Sequence, residues 1–119
     1  MARIMIVDDS PLVRLKLKHL LEKLQHTVYE AKNGEEGIKA YGRYKPDLVT
    51  MDMNMPGMDG IDAVESIIAR YPDAKIVMIS SSADERGVIS AIKKGARGYI
   101  LKPFNDERVV QVLNKVLEA

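Results

Sequence analysis

Five times along this chain a short apolar run gives way to a segment whose apolar residues recur at helical spacing, an alternation few folds accommodate. The runs are Ile4-Met5-Ile6-Val7, Thr27-Val28-Tyr29-Glu30-Ala31, Asp47-Leu48-Val49-Thr50-Met51, Lys75-Ile76-Val77-Met78-Ile79 and Gly98-Tyr99-Ile100-Leu101. Continuous runs of this kind suit parallel strands covered on both faces. Five strand–helix units in succession predict an α/β fold: one doubly wound, five-stranded parallel sheet with helices on both sides. In its flavodoxin-like (βα)5 form the strand order is 2-1-3-4-5. The second run alternates apolar with polar residues, which predicts a shorter, peripheral strand.

The intervening segments carry helix signals. Ser10 is placed to cap a helix that starts at Pro11 and runs to about Leu24, with Leu17, Leu20, Leu21 and Leu24 facing the core. Asn33-Gly34 predicts a turn before a helix over about Glu35 to Arg43. A third helix runs from Ile61 until Tyr71-Pro72-Asp73 stops it, with Val64, Ile67, Ile68 and Tyr71 on one face. The fourth occupies about Asp84 to Lys94 and closes at Gly95. Asn105 or Asp106 caps the last, whose apolar face is Val109, Val112, Leu113, Val116 and Leu117. The charged residues of these helices read as solvated outer faces with no special role.

A length of 119 residues fits one domain over 1–119. Eighteen basic against seventeen acidic residues leave a net charge of +1, so nothing draws the chain toward nucleic acid or an acidic membrane. With no cysteine there is no disulfide, thiolate metal site or thiol nucleophile. No apolar run approaches the roughly 20 residues needed to span a bilayer. Met1-Ala2-Arg3-Ile4 already enters a strand, so no signal peptide is expected, and a cytoplasmic, monomeric protein is.

The chemistry is concentrated at the carboxyl ends of the predicted strands, where open parallel sheets bind their ligands. Those ends carry Asp8 and Asp9, Asp52, Ser80 and Lys102. In the order 2-1-3-4-5, strands one and three are neighbours, so the three carboxylates share one pocket with Ser80 and Lys102 beside it. Three carboxylates that close raise one another's pKa unless a cation joins them. An all-oxygen donor set, with the carbonyl of Asn54 in reach, suits Mg²⁺ better than a softer metal. A carboxylate beside such a cation can attack phosphorus, with Lys102 and the Ser80 hydroxyl on the phosphoryl oxygens.

The pieces Val7-Asp8-Asp9-Ser10, Asp47 to Asp52 with Met55-Pro56-Gly57-Met58-Asp59-Gly60, Ser80, and Gly95-Ala96 followed by Tyr99-Ile100-Leu101-Lys102-Pro103-Phe104 span the chain. At these residues it resembles the receiver domain of two-component response regulators, most closely the single-domain, CheY-like chemotaxis type. The resemblance implies a phosphoacceptor with self-catalysed phosphorylation and dephosphorylation, not a turnover enzyme. It implies Asp52 as phosphoacceptor, and Mg²⁺ on Asp9, Asp52 and the Asn54 carbonyl with Asp8 acting through water. Ser80 and Lys102 would touch the phosphoryl group, and Tyr99 would change rotamer on activation. A cis peptide between Lys102 and Pro103 is also implied. The implied partners are a histidine kinase as phosphodonor and a protein target, the flagellar motor switch first, docking on the face from about Asp84 to Ala119. A phosphorelay shuttle and the receiver of a larger DNA-binding regulator are the alternatives. Ser80 stands where the family often has Thr, and Asn54 and Ser82 occupy positions that tune phosphoryl lifetime there.

Three rival readings fit less well. A flavodoxin-like electron carrier needs a phosphate-cradling loop after strand one, where this chain has two acids. A small phosphatase with an aspartyl nucleophile, of the haloacid dehalogenase type, has an Asp-x-Asp pair there, whereas Asp8 and Asp9 are adjacent. Met51, Met53, Met55 and Met58 suggest Cu(I), but methionines at a strand end more often serve packing. His19 and His26 fall far from the strand ends, and both are expected on the surface.

Overall fold

Alternate residues of a strand point to opposite sides of its sheet, and here each side receives its own core. The computed structural model describes residues 1–81 and 84–119. Its elements are β1 (Arg3–Val7), α1 (Pro11–Lys23), β2 (Thr27–Ala31), α2 (Gly34–Tyr44), β3 (Leu48–Asp52), α3 (Gly60–Arg70), β4 (Ile76–Ser80), α4 (Glu85–Lys93), β5 (Gly98–Leu101) and α5 (Asp106–Glu118). All strand pairs are parallel, in the order β2-β1-β3-β4-β5. Ile4, Ile6, Leu48, Val77, Ile79 and Ile100 pack with Leu17 and Leu21 of α1 and with the apolar face of α5. Met5, Val7, Val49, Met51, Ile76 and Met78 pack against α2, α3 and α4. The doubly wound sheet expected from the sequence is therefore present, with β2 at one edge.

The helix ends follow local chemistry. Ser10 caps α1, its hydroxyl accepting from the Val13 N–H, and Pro11 takes the first helical position. Asn33 is an N-cap rather than a turn residue: its side chain accepts from the Glu36 N–H, so α2 begins one residue earlier than expected, at Gly34. Asp59, Asp84 and Asn105 cap α3, α4 and α5 in the same way. Leu24 departs from expectation. It is the C-cap of α1 and is 41% exposed, because the helix ends before this position could turn inward. The four methionines near the end of β3 serve packing, with Met51, Met53 and Met55 buried and Met58 half-buried against the α2–α3–α4 core.

Thr50 lies on the α1/α5 side between Ile6 of β1 and Val77 of β4. Its hydroxyl has no hydrogen-bond partner among the described residues and is fully buried. A buried hydroxyl without a partner costs about 1–3 kcal/mol, and Val fills nearly the same volume. Thr50→Val is therefore expected to stabilise the protein by about 1 kcal/mol, read as a higher urea midpoint at unchanged slope. A lower midpoint would contradict the assignment.

Candidate functional site

The last pair between β1 and β3 is Val7 with Met51, so Asp8 and Asp52, the next residue of each, stand side by side on the same face. Both are buried, Asp8 at 2% and Asp52 at 5% exposure. On β5, Ile100 shares this face with Ile79, and Lys102 follows two residues later in the same phase. Its Nζ donates to Asp8 Oδ2 at 3.0 Å and to Asp52 Oδ1 at 3.4 Å. The chain thus brings together, at one rim, groups up to 94 residues apart. The next peptide bond, Lys102–Pro103, is cis, as the resemblance implied.

Asp9 is the first exposed residue after β1, where the backbone turns toward α1. One carboxylate oxygen from each of Asp8, Asp9 and Asp52 lies within 4.8 Å of the others. The remaining expected residues stand around this cluster. Ser80 ends β4 fully buried, one strand beyond Asp52, whose register partner is Ile79. It has the phase of Met78 and Tyr99 and so belongs to the opposite side of the sheet from Asp52. Asn54 is exposed in the loop after β3. Tyr99 is half-buried and lines, with Asn54, Met53 and Gly87, a cleft of about 210 Å³ beside α4. Ser82 lies outside the described residues.

Two local devices hold the acids in place. A Cβ on Gly60 would stand 2.0 Å from the Asp52 carbonyl oxygen, so only glycine lets the loop fold back this tightly on the strand end. The Gly60 N–H closes that loop on the Met53 carbonyl at 2.8 Å. On the other side, the Ser10 N–H donates to Asp8 Oδ1 at 2.9 Å and the Asp8 N–H to the Ala31 carbonyl at 3.1 Å.

The electrostatics are those of a crowded acid cluster. Burial, then the charge of Asp8, pushes the Asp52 carboxyl up to about 6, with Lys102 pulling the other way. Burial lowers the Lys102 pKa, but its hydrogen bond to Asp8 and the charges of Asp52 and Asp8 outweigh that and raise it. An ion-paired ammonium therefore sits between two carboxylates. A hard divalent cation fits this donor set, because every ligating atom is an oxygen and a second positive charge would relieve the repulsion. The histidines take no part. His19 is exposed, while His26, expected on the surface, is half-buried and accepts the Ala2 N–H on Nδ1 at 3.0 Å. Burial, then the amino terminus, lowers the His26 pKa.

One residue at the site escaped the sequence reading. Arg14 of α1, taken for a solvated helix charge, donates from Nη1 to the Asp8 carbonyl at 2.7 Å and from Nε to Glu30 at 3.1 Å. The available signal was register: Glu30 of β2 pairs with Ile6, two residues before Asp8, so a cation on the first turns of α1 falls between them.

Residues 4–114 match the family described as the response regulator receiver domain. The chain is 47% identical over 115 residues to the chemotaxis protein CheY of Thermotoga maritima, spanning 96% of each protein. It is 43% identical over 116 residues to the chemotaxis protein CheY of Bacillus subtilis, spanning 97% of each. Its backbone also matches a chain of the CheX-CheY-BeF3-Mg+2 complex from Borrelia burgdorferi with a TM-score of 0.93. That match is at 32% identity and covers 96% of this chain and 87% of that one.

Proposed function

The chain belongs to the response regulator receiver domain family, and we propose that within it the protein is a CheY-like chemotaxis regulator that accepts a phosphoryl group on Asp52. The observation that carries this reading is the meeting of Asp8, Asp9 and Asp52 within 4.8 Å, with Lys102 bonded to two of them. An Asp52 carboxylate oxygen attacks phosphorus. The bond from phosphorus to the donor histidine nitrogen breaks, its electron pair stays on the donor, and an aspartyl phosphate remains. Asp9, Asp52 and the Asn54 carbonyl would hold Mg²⁺, with Asp8 contributing through water, and the ion would supply charge neutralisation for the phosphoryl oxygens. Lys102 supports a second oxygen, and the Ser80 hydroxyl approaches the third.

Phosphorylation adds charge and acceptor oxygens at the rim. Drawing Ser80 toward them frees space on its own side of the sheet, the side Tyr99 shares, and Tyr99 turns inward. The face formed by α4, β5 and α5 then shifts population toward a target-binding form. A histidine kinase supplies the phosphoryl group, and the flagellar motor switch is the first candidate target.

The test is mass spectrometry of intact protein and peptides after incubation with acetyl phosphate, with Mg²⁺ and with chelator. One labile phosphoryl group on the Asp52 peptide, present only with Mg²⁺, is the expected result. No label in either condition, or label on another peptide, would sink the reading.

A further inference from the structure

Asp9 needs support that its strand cannot give. It lies beyond β1 and is exposed, so the peptide joining Asp8 to Asp9 decides where its carboxylate stands. The Asp8 side of that peptide is tied by four contacts. Three are the Asp8 N–H to the Ala31 carbonyl, the Ser10 N–H to Asp8 Oδ1 and Lys102 Nζ to Asp8 Oδ2. The fourth is Arg14, whose Nη1 holds the Asp8 carbonyl at 2.7 Å, the shortest of the four and the one made directly to the carbonyl of that peptide. The guanidinium is itself oriented by Glu30, which accepts from Nε at 3.1 Å and stands 3.6 Å from Lys18 Nζ. At 18% exposure the Arg14 side chain is largely shielded from water.

We propose that Arg14, oriented by Glu30, is a positioning residue for the divalent cation: by holding the Asp8 carbonyl it fixes the peptide that aims Asp9 at the shared site. The inference rests on the Mg²⁺ reading above. A fork geometry is required, because a single side chain bonds a carbonyl just past the end of β1 and a carboxylate on β2 at once, and arginine alone offers rigid donors in two directions. Groups that orient metal ligands from outside typically alter affinity by about 10–100-fold.

Charge alone makes the opposite prediction, which keeps the test sharp. Arg14 is a cation near a cation site, so removing it would tighten Mg²⁺ if only the electric field mattered. Positioning says that it loosens.

The experiment is calorimetric titration of MgCl2 into the full chain at neutral pH, for wild type, Arg14→Met and Arg14→Lys. Thermal midpoints without metal report any general loss of stability. Both variants are expected to bind Mg²⁺ about tenfold more weakly, Arg14→Lys included although its charge is kept. Unchanged or tighter binding in Arg14→Lys overturns the proposal, and so does tighter binding in a folded Arg14→Met. If Arg14→Met fails to fold, the lysine variant decides alone. Absence of Mg²⁺ binding by the wild-type protein overturns the underlying magnesium reading instead, and is told apart by that control.

Discussion

Asp52→Asn is expected to abolish phosphoryl labelling and, in the same molecule, to make the metal-free protein more stable. The first effect follows from removing the nucleophilic oxygen. The second follows from the cost of keeping that oxygen ionised. Asp52 titrates at about 6 in the folded chain against an ordinary 3.8, because it is buried and faces Asp8. A carboxyl with a raised folded pKa favours folding only while protonated. That stability is whole below about pH 4 and is lost as pH rises through 6. The difference is worth roughly 3 kcal/mol once both states are ionised. Asn carries no charge and escapes the loss. With chelator present, the variant should exceed wild type by up to about 3 kcal/mol above pH 7, the gap closing toward pH 4. Denaturant unfolding across a pH series checks this, and a gap independent of pH would contradict it. Mg²⁺ should shrink the gap, since it stabilises only a protein that keeps its ligands.

Lys102→Met should act in the opposite direction on stability and in the same direction on chemistry. The ammonium is the cation bonded to both buried acids, at 3.0 Å from Asp8 and 3.4 Å from Asp52. Breaking a buried pair by removing one partner costs about 3–5 kcal/mol, because the other charge stays behind. Asp52 can take up a proton and relieve part of that, so the lower figure applies. Mg²⁺ should restore more stability to this variant than to wild type, because it replaces the missing positive charge. Labelling with acetyl phosphate should fall by about 10²–10³, the usual cost of removing one group that stabilises transition-state charge. Thermal midpoints with and without Mg²⁺, together with single-turnover labelling, test both halves. Labelling at the wild-type rate would remove Lys102 from the chemistry.

What the sequence made legible was whatever depends on period and order. The strand–helix alternation and the strand order set the carboxyl ends that carry Asp8, Asp52, Ser80 and Lys102 at one rim, whereas the side of the sheet each takes came with the register. Interactions that depend on two elements approaching at a particular angle stayed hidden. Arg14 looks like any helix cation until β2 is beside β1 and Glu30 is within reach. Gly60 reads as a loop glycine, and its need to clear the Asp52 carbonyl shows only in three dimensions. Helix ends erred by a residue where a cap competes with a turn, as at Asn33, and at Leu24, where periodicity outran the helix. His26 was misjudged because its backbone partner lies 24 residues away on the neighbouring strand end.

The placement of β3 has a consequence for folding fidelity. The strand is flanked by acids, Asp47 before it and Asp52 at its last position. A slip of one residue in one direction would put Asp52 where Met51 now lies, between Val7 and Met78, on the wrong side of the sheet and out of reach of Lys102. A slip the other way would drag Asp47 into the place of Leu48, beside Ile4 in the opposite core. Either error buries a lone carboxylate, which apolar surroundings penalise heavily. The carboxylate read as the phosphoacceptor is thus also one of two stops that keep the central strand in register, so mispaired chains are rejected by the same group that the correctly paired chain uses.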